Sequence, residues 1–217
     1  MPEPERAVPL GTLLIDWDNT LHDAAGTFFR ALRDVLRQRG LEVDEPAYRA
    51  AYDPDYRVLY ARLGLPADEV AQASAEWRAL VREAEPRLLP GAREALARLH
   101  ASGMPAAIVT GAPRAQVERQ LAALDLAWPP VAVAAGEAAA PRPDPAPLLL
   151  ARVRLARVTE PVLYAGDTPA DMRMARAAGV RGIGIAAFAT DEARLRDAGA
   201  SETAPSFGDW LSRWLAT

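Results

Sequence analysis

Leu10-Gly11-Thr12-Leu13-Leu14-Ile15-Asp16-Trp17-Asp18-Asn19-Thr20-Leu21 is the stretch on which the fold turns. The apolar run Leu13-Leu14-Ile15 stops at two aspartates one residue apart, Asp16 and Asp18. A short apolar run closed by turn-forming residues reads as a buried strand of a parallel sheet. Ligands of such sheets bind beyond the carboxyl ends of the strands, so the pair stands at the mouth of a site. Two carboxylates this close repel each other unless a cation or a shared proton intervenes. Mg²⁺, a hard cation that prefers oxygen ligands, meets that need. The competing reading is an Asx-type turn in which Asp18 and Asn19 bond their own backbone.

Outward from this strand, the pattern alternates. Residues 1–9 read as a disordered or extended lead-in. From Gly26 to Glu85 the spacing is helical. Phe28, Phe29, Leu32, Val35 and Leu36 share one face, and Gly40 closes that helix. Glu45–Tyr52 reads as a short helix, and Tyr56, Leu59, Tyr60 and Leu63 mark another. Pro66-Ala67-Asp68-Glu69 opens a longer one. Beyond it, helices are expected from Pro90 to His100, Arg114 to Leu124, Pro147 to Arg157 and Ala170 to Ala178. Two more are expected near Asp191–Ala198 and Phe207–Leu215. Strands are expected at Pro105–Thr110, Val131–Ala134, Pro161–Ala165 and Arg181–Ile185. The alternation predicts an α/β fold, a Rossmann-like parallel sheet with helices on both faces. A small all-helical cap follows the first strand. The expected domains are residues 1–22 with 88–217 as catalytic core and 23–87 as cap.

Composition narrows the function. The 217 residues carry a net charge of −4, which leaves no basic footprint for nucleic acid. No apolar run approaches the roughly 18 residues of a membrane span. Met1–Glu5 lacks the basic and apolar regions of a secretory leader, so a cytoplasmic protein is expected. With no cysteine there is no thiolate nucleophile, disulfide or thiolate metal site. All 25 basic side chains are arginine, which rules out Schiff-base chemistry through lysine.

Four strand ends or adjoining loops carry polar residues of one kind. They are Asp16 with Asp18, Thr110-Gly111, Arg142 within Pro141-Arg142-Pro143, and Gly166-Asp167-Thr168-Pro169-Ala170-Asp171. Asp16-Trp17-Asp18-Asn19-Thr20 resembles the first signature, Asp-x-Asp-x-Thr, of the haloacid dehalogenase-like hydrolase superfamily. The four together, in order from Leu10 to Ile185, resemble its four motifs. Arg142 stands where that superfamily usually has lysine. The resemblance implies that Asp16 attacks phosphorus and becomes an aspartyl-phosphate, while Asp18 protonates the leaving alcohol and then activates water. It assigns Mg²⁺ to the carboxylates of Asp16 and Asp167 and the backbone carbonyl of Asp18, with Asp171 reaching the metal through water. Thr110, the Gly111 amide and Arg142 would hold the phosphoryl group.

Each residue also has a plainer reading. Thr110 is a strand-end ST-turn, Asp167 the N-cap of the following helix, and Arg142 a side chain turned away from the site. Trp17 packs beside the site with its backbone amide towards the phosphate. His22 reads as a solvent-facing loop residue rather than one that lines the cap hinge, His100 as structural, and Arg114 as an exposed first-turn arginine rather than one that reaches substrate.

The helical insertion resembles the caps of phosphoglycolate phosphatase-like and phosphoglucomutase-like members. Asp18 argues against the dehalogenase branch, which lacks it. Gly166-Asp167 fits a phosphatase better than the Glu-Asp pair of the mutases. The expectation is a Mg²⁺-dependent phosphatase of a small phosphorylated metabolite, monomeric or homodimeric. The alternatives are phosphoglucomutase-like phosphoryl transfer and a non-catalytic phosphate-binding module.

Overall fold

The apolar run after Gly11 becomes β1 (Thr12–Ile15), every residue of it buried. The computed structural model describes residues 11–53, 55–188 and 190–216, so the lead-in at 1–9 lies outside the described residues. After β1 the chain forms α1 (Ala24–Arg37), α2 (Glu45–Ala51), α3 (Tyr56–Arg62) and α4 (Val70–Glu83). It continues through α5 (Ala92–Ala101), β2 (Ala106–Val109), α6 (Arg114–Ala123), β3 (Val131–Val133) and α7 (Ala146–Arg154). Then follow β4 (Val162–Gly166), α8 (Pro169–Ala177), β5 (Arg181–Ile185), α9 (Glu192–Asp197), β6 (Glu202–Ala204) and α10 (Phe207–Trp214).

Among the described residues, six strands form one parallel sheet in the order β3-β2-β1-β4-β5-β6. The period of two along each strand sends alternate side chains to opposite faces. Leu13, Ile15, Ile108, Leu163 and Ile183 pack with α5, α6 and α10 through Leu96, Leu99, Val117 and Trp210. Leu14, Ala107, Val109 and Tyr164 pack on the other face against Leu148 of α7 and Met174 and Ala175 of α8. Both faces are covered, and so β1 reads as an unbroken apolar run rather than an alternating one. Each such Leu or Ile contributes about 1.5–3 kcal/mol by its removal from water.

The chain divides into two compact units, Asp23–Arg87 and the segments on either side of it. Within Asp23–Arg87, α1 and α4 pack together, with Trp77 edge-on to Phe28 and its indole N–H bonded to the Phe28 carbonyl at 3.0 Å. Asp23 caps α1 by accepting the Gly26 amide, so that helix starts two residues before Gly26.

Several boundaries differ from the sequence expectation for local reasons. Pro66 opens a turn, closed by the Glu69 amide on its carbonyl, and α4 starts only at Val70. Gly91 adopts φ 76° ahead of α5, so Pro90 lies before that helix rather than in its first turn. Leu155 is extended and ends α7 before Arg157. β6 had no sequence signal: three residues, Glu-Thr-Ala, are too short and too polar to stand out, and they form a strand only against β5.

Candidate active site

Asp16, Thr110 and Asp167 follow directly on β1, β2 and β4, which are neighbours in the sheet. The ladder itself aims these residues. The Asp16 amide donates to the Ala165 carbonyl at 2.8 Å, and the Thr110 amide to the Val133 carbonyl at 2.9 Å. Asp16 is 1 % exposed and Asp167 7 %. Carboxylate oxygens of Asp16, Asp167 and Asp171 lie within 4.8 Å of one another.

Arg142 reaches this group from the loop between β3 and α7. Its Nη1 lies 3.2 Å from Asp16 Oδ1 and 2.5 Å from Asp171 Oδ1. The N–H is aimed at Asp171, and the buried Asp16 Oδ1 accepts no hydrogen bond. Asp171 carries most of the hydrogen bonds of the group. Its Oδ1 also accepts the Tyr164 hydroxyl at 2.9 Å, and its Oδ2 accepts the Thr168 amide at 3.0 Å and the Thr168 hydroxyl at 2.5 Å. It is thus the anchor of the guanidinium. Two glycines make room for this arrangement. A Cβ on Gly111 would lie 2.7 Å from Arg142 Nη2, and one on Gly166 would lie 2.8 Å from Asp171 Cγ.

Burial pushes the Asp16 carboxyl well above the usual carboxylate range; Arg142 opposes the shift, and Asp171, Asp167 and Asp18 add to it. Burial, reinforced by Asp171, pushes Asp167 up to about 7. Asp16 and Asp171 hold the guanidinium charged against the cost of its burial. Burial is the largest cause of both carboxyl shifts, and the repulsion between neighbouring carboxylates adds to it. A divalent cation would relieve the same repulsion. The donor set is all oxygen, and Asp16 Oδ1 still has an open lone pair, so the residues present fit a hard cation.

The other expected residues are distributed around this group. Asp18 follows two residues later, its side chain 30 % exposed, with Oδ1 2.8 Å from His22 Nδ1. Thr110 Oγ1 accepts the Ala112 amide at 3.1 Å, the ST-turn of its plainer reading, which leaves the hydroxyl proton free to be donated. Thr168, rather than Asp167, is the N-cap of α8, in a capping box with Asp171. That leaves the Asp167 carboxylate out of the helix cap. Trp17 is buried, with its indole N–H on Gln120 Oε1 at 2.8 Å. Arg114 is tied to Glu137, Glu118 and the Val131 carbonyl. His100 stacks at a tilt on Trp128. A cavity of about 490 Å³ opens beside Thr110, Gly111, Arg142 and Tyr164.

The expectation for His22 is overturned. His22 is not a solvent-facing loop residue: it is 3 % exposed, and its ring lies flat on Trp17. Its ring stacks on Trp17 and bonds Asp18, and its backbone bridges to Leu88, contacts that its polar neighbours in sequence do not reveal. Tyr164 and Thr168 were also missed. A phenol inside the apolar run of β4 was the available signal for Tyr164.

This arrangement has known counterparts. A family model described as haloacid dehalogenase-like hydrolase matches residues 13–185. A phosphoglycolate phosphatase of Salmonella typhimurium is 35 % identical over 99 residues, covering 45 % of this chain and 39 % of that protein. The match thus spans about two fifths of the curated relative's length. Among solved structures, a Thermotoga maritima protein provisionally named a beta-phosphoglucomutase aligns over 96 % of this chain and 100 % of its own, with TM-score 0.75 and 23 % identity. CbbY of Rhodobacter sphaeroides, crystallised with phosphate, aligns over 92 % and 96 %, with TM-score 0.61 and 24 % identity. The structural likenesses concern the fold alone; the family model covers β1 through β5 and with them every strand-end residue described above. By that match the chain belongs to the haloacid dehalogenase-like hydrolases.

Proposed function

We propose that the protein is a Mg²⁺-dependent phosphatase of a small phosphorylated metabolite, working in the cytoplasm through an aspartyl-phosphate on Asp16. The observation that carries this reading is the Asp16 carboxylate itself. It is buried at the end of β1, has an oxygen that accepts no hydrogen bond, and lies 3.2 Å from a guanidinium. A nucleophile needs such an open lone pair.

In this reading Asp16 attacks phosphorus in line with the leaving oxygen. The Asp16 O–P bond forms as the P–O bond to the alcohol breaks, and Asp18 gives that alcohol its proton. Asp18 then takes a proton from the water that attacks the phosphoaspartate, releasing phosphate and regenerating Asp16. The Thr110 hydroxyl and the Gly111 amide donate to the phosphoryl oxygens. Arg142, held by Asp171, offsets the charge that gathers on them. The carboxylates of Asp16 and Asp167 and the backbone carbonyl of Asp18 would hold Mg²⁺, with Asp171 meeting its water. When bound, the metal supplies positive charge to the phosphoryl oxygens. The helical unit Asp23–Arg87 serves as a cap that selects the substrate.

The relatives named phosphoglycolate phosphatase make 2-phosphoglycolate the first ester to test. Phosphate release is measured over a panel of phosphorylated metabolites with and without MgCl₂, with Asp16→Asn as control. Turnover that needs both Mg²⁺ and Asp16 is expected. Turnover by the Asn variant overturns the mechanism, and an isomerised sugar phosphate in place of free phosphate identifies a mutase.

A further inference from the structure

The contact between His22 and Asp18 is unlike the other polar contacts of the site. It joins the candidate proton-moving residue to an almost wholly buried ring. The His22 side chain is 4 % exposed against 30 % for Asp18, and Nδ1 lies 2.8 Å from Asp18 Oδ1. A carboxylate is only an acceptor, so the ring hydrogen of that contact is on Nδ1. The other nitrogen, Nε2, is buried without a hydrogen-bond partner.

Several contacts hold the ring in this position. It stacks on Trp17 with centroids 5.5 Å apart and planes 3° from parallel. Trp17 is itself held by Gln120 on α6. The backbone of His22 closes the same loop. Its amide donates to the Trp17 carbonyl at 2.9 Å, its carbonyl accepts the Asn19 amide at 2.7 Å, and it bridges to Leu88. A buried polar ring costs free energy unless it is paired, and the hydrogen bond it makes ends on Asp18.

We propose that His22 is a positioning residue for Asp18. Its Nδ1–H occupies Oδ1, so Oδ2 alone is left to give and take the proton. The carboxylate is thereby held in one rotamer with one working oxygen. This inference rests on the reading of Asp18 as the acid and base of a phosphatase.

The test uses two aryl esters of similar shape, phenyl phosphate and p-nitrophenyl phosphate, with MgCl₂. Phenol is a poor leaving group that needs a proton; p-nitrophenolate needs it far less. His22→Phe keeps the flat ring and removes the donor. His22→Gln places its amide where Nε2 lies rather than Nδ1. His22→Asn restores a donor at the Nδ1 position. Loss of one hydrogen bond to a charged group predicts a fall in kcat/KM of roughly tenfold or more on phenyl phosphate for the Phe and Gln variants. On p-nitrophenyl phosphate the fall should stay under about threefold, and the Asn variant should stay within about threefold on both esters.

Equal losses on the two esters would make His22 merely structural. An Asn variant as impaired as Phe, or variants all like wild type, would also overturn the proposal. Thermal melts report folding, and the Gln variant carries the comparison if the Phe variant does not fold. An Asp16→Asn variant that hydrolyses both esters overturns the reading of the site and, with it, the role of His22; selective losses that fail to appear in an enzyme that still needs Asp16 overturn the role of His22 alone.

Discussion

At the scale of the residue, the proposed mechanism divides the work of the site between Asp16 and Arg142. Asp16→Asn should abolish turnover and leave the thermal melt in place, because an amide cannot open the P–O bond; quenched wild-type enzyme should carry phosphate on Asp16. Arg142→Ala should cost about 2–4 kcal/mol in kcat/KM, the scale of one lost electrostatic donor. Arg142→Lys should recover part of that loss. It restores a charge, but a compact ammonium replaces the planar guanidinium whose Nη1 now lies against both Asp16 and Asp171. Steady-state kinetics on the best substrate decide, and an Ala variant matching wild type removes Arg142 from the chemistry. Asp16, Thr110 and Asp167 stand out in the sequence because each closes an apolar run, whereas Asp18, Arg142 and Asp171, which lies within α8, are picked out by the resemblance of the four motifs. The Arg142–Asp171–Tyr164 linkage could not be read there. Its members come from a loop, a helix and a strand, and only the folded chain brings them within 2.9 Å.

At the scale of the element, the strand ends are held by helix caps and by one ion cluster. Thr168 caps α8 and holds Asp171 at the same time. Thr168→Ala should therefore cost about 1 kcal/mol of stability as a lost cap, and calorimetry should show the lowered Tm. Glu137 accepts Arg114 through both oxygens, at 2.6 and 3.0 Å, and also pairs with Arg154. It thereby ties the loop after β3 to α6 and α7. Arg114 first, then Arg154, hold its carboxyl down at about 2 against an ordinary 4.5. A carboxyl whose folded pKa is depressed stabilises the fold above its unfolded pKa and loses that contribution as pH falls. The Tm difference between wild type and Glu137→Gln should thus be full at neutral pH and shrink between about pH 4.5 and 2. A pH-independent difference would show that charge is not its source. The helices of Asp23–Arg87 were visible as apolar faces at helical spacing. Their first turns were less so, because Asp23 and Pro66 act through hydrogen bonds that the spacing does not encode.

At the scale of the whole molecule, folding and metal binding should be linked. A cation bound only by the folded site raises stability by mass action. MgCl₂ at a hundredfold excess over its Kd should lift the wild-type Tm by roughly 5–10 °C. Asp167→Ala should abolish that rise, and full activity in excess chelator would refute the metal requirement. No helix of the described residues is long and apolar enough to cross a membrane. The position of β1 at the centre of the sheet has a consequence for how the protein is made. Leu13 pairs with Ala106 on one side and with Leu163, 150 residues further on, on the other. At about 5–20 residues per second, a ribosome needs roughly 8–30 s to supply that second partner. Until then the strand that ends at Asp16 has at most one of its two neighbours, and its other edge is an open apolar segment within reach of chaperones. Nascent chains arrested before β4 should be captured by them, and those released after it should not.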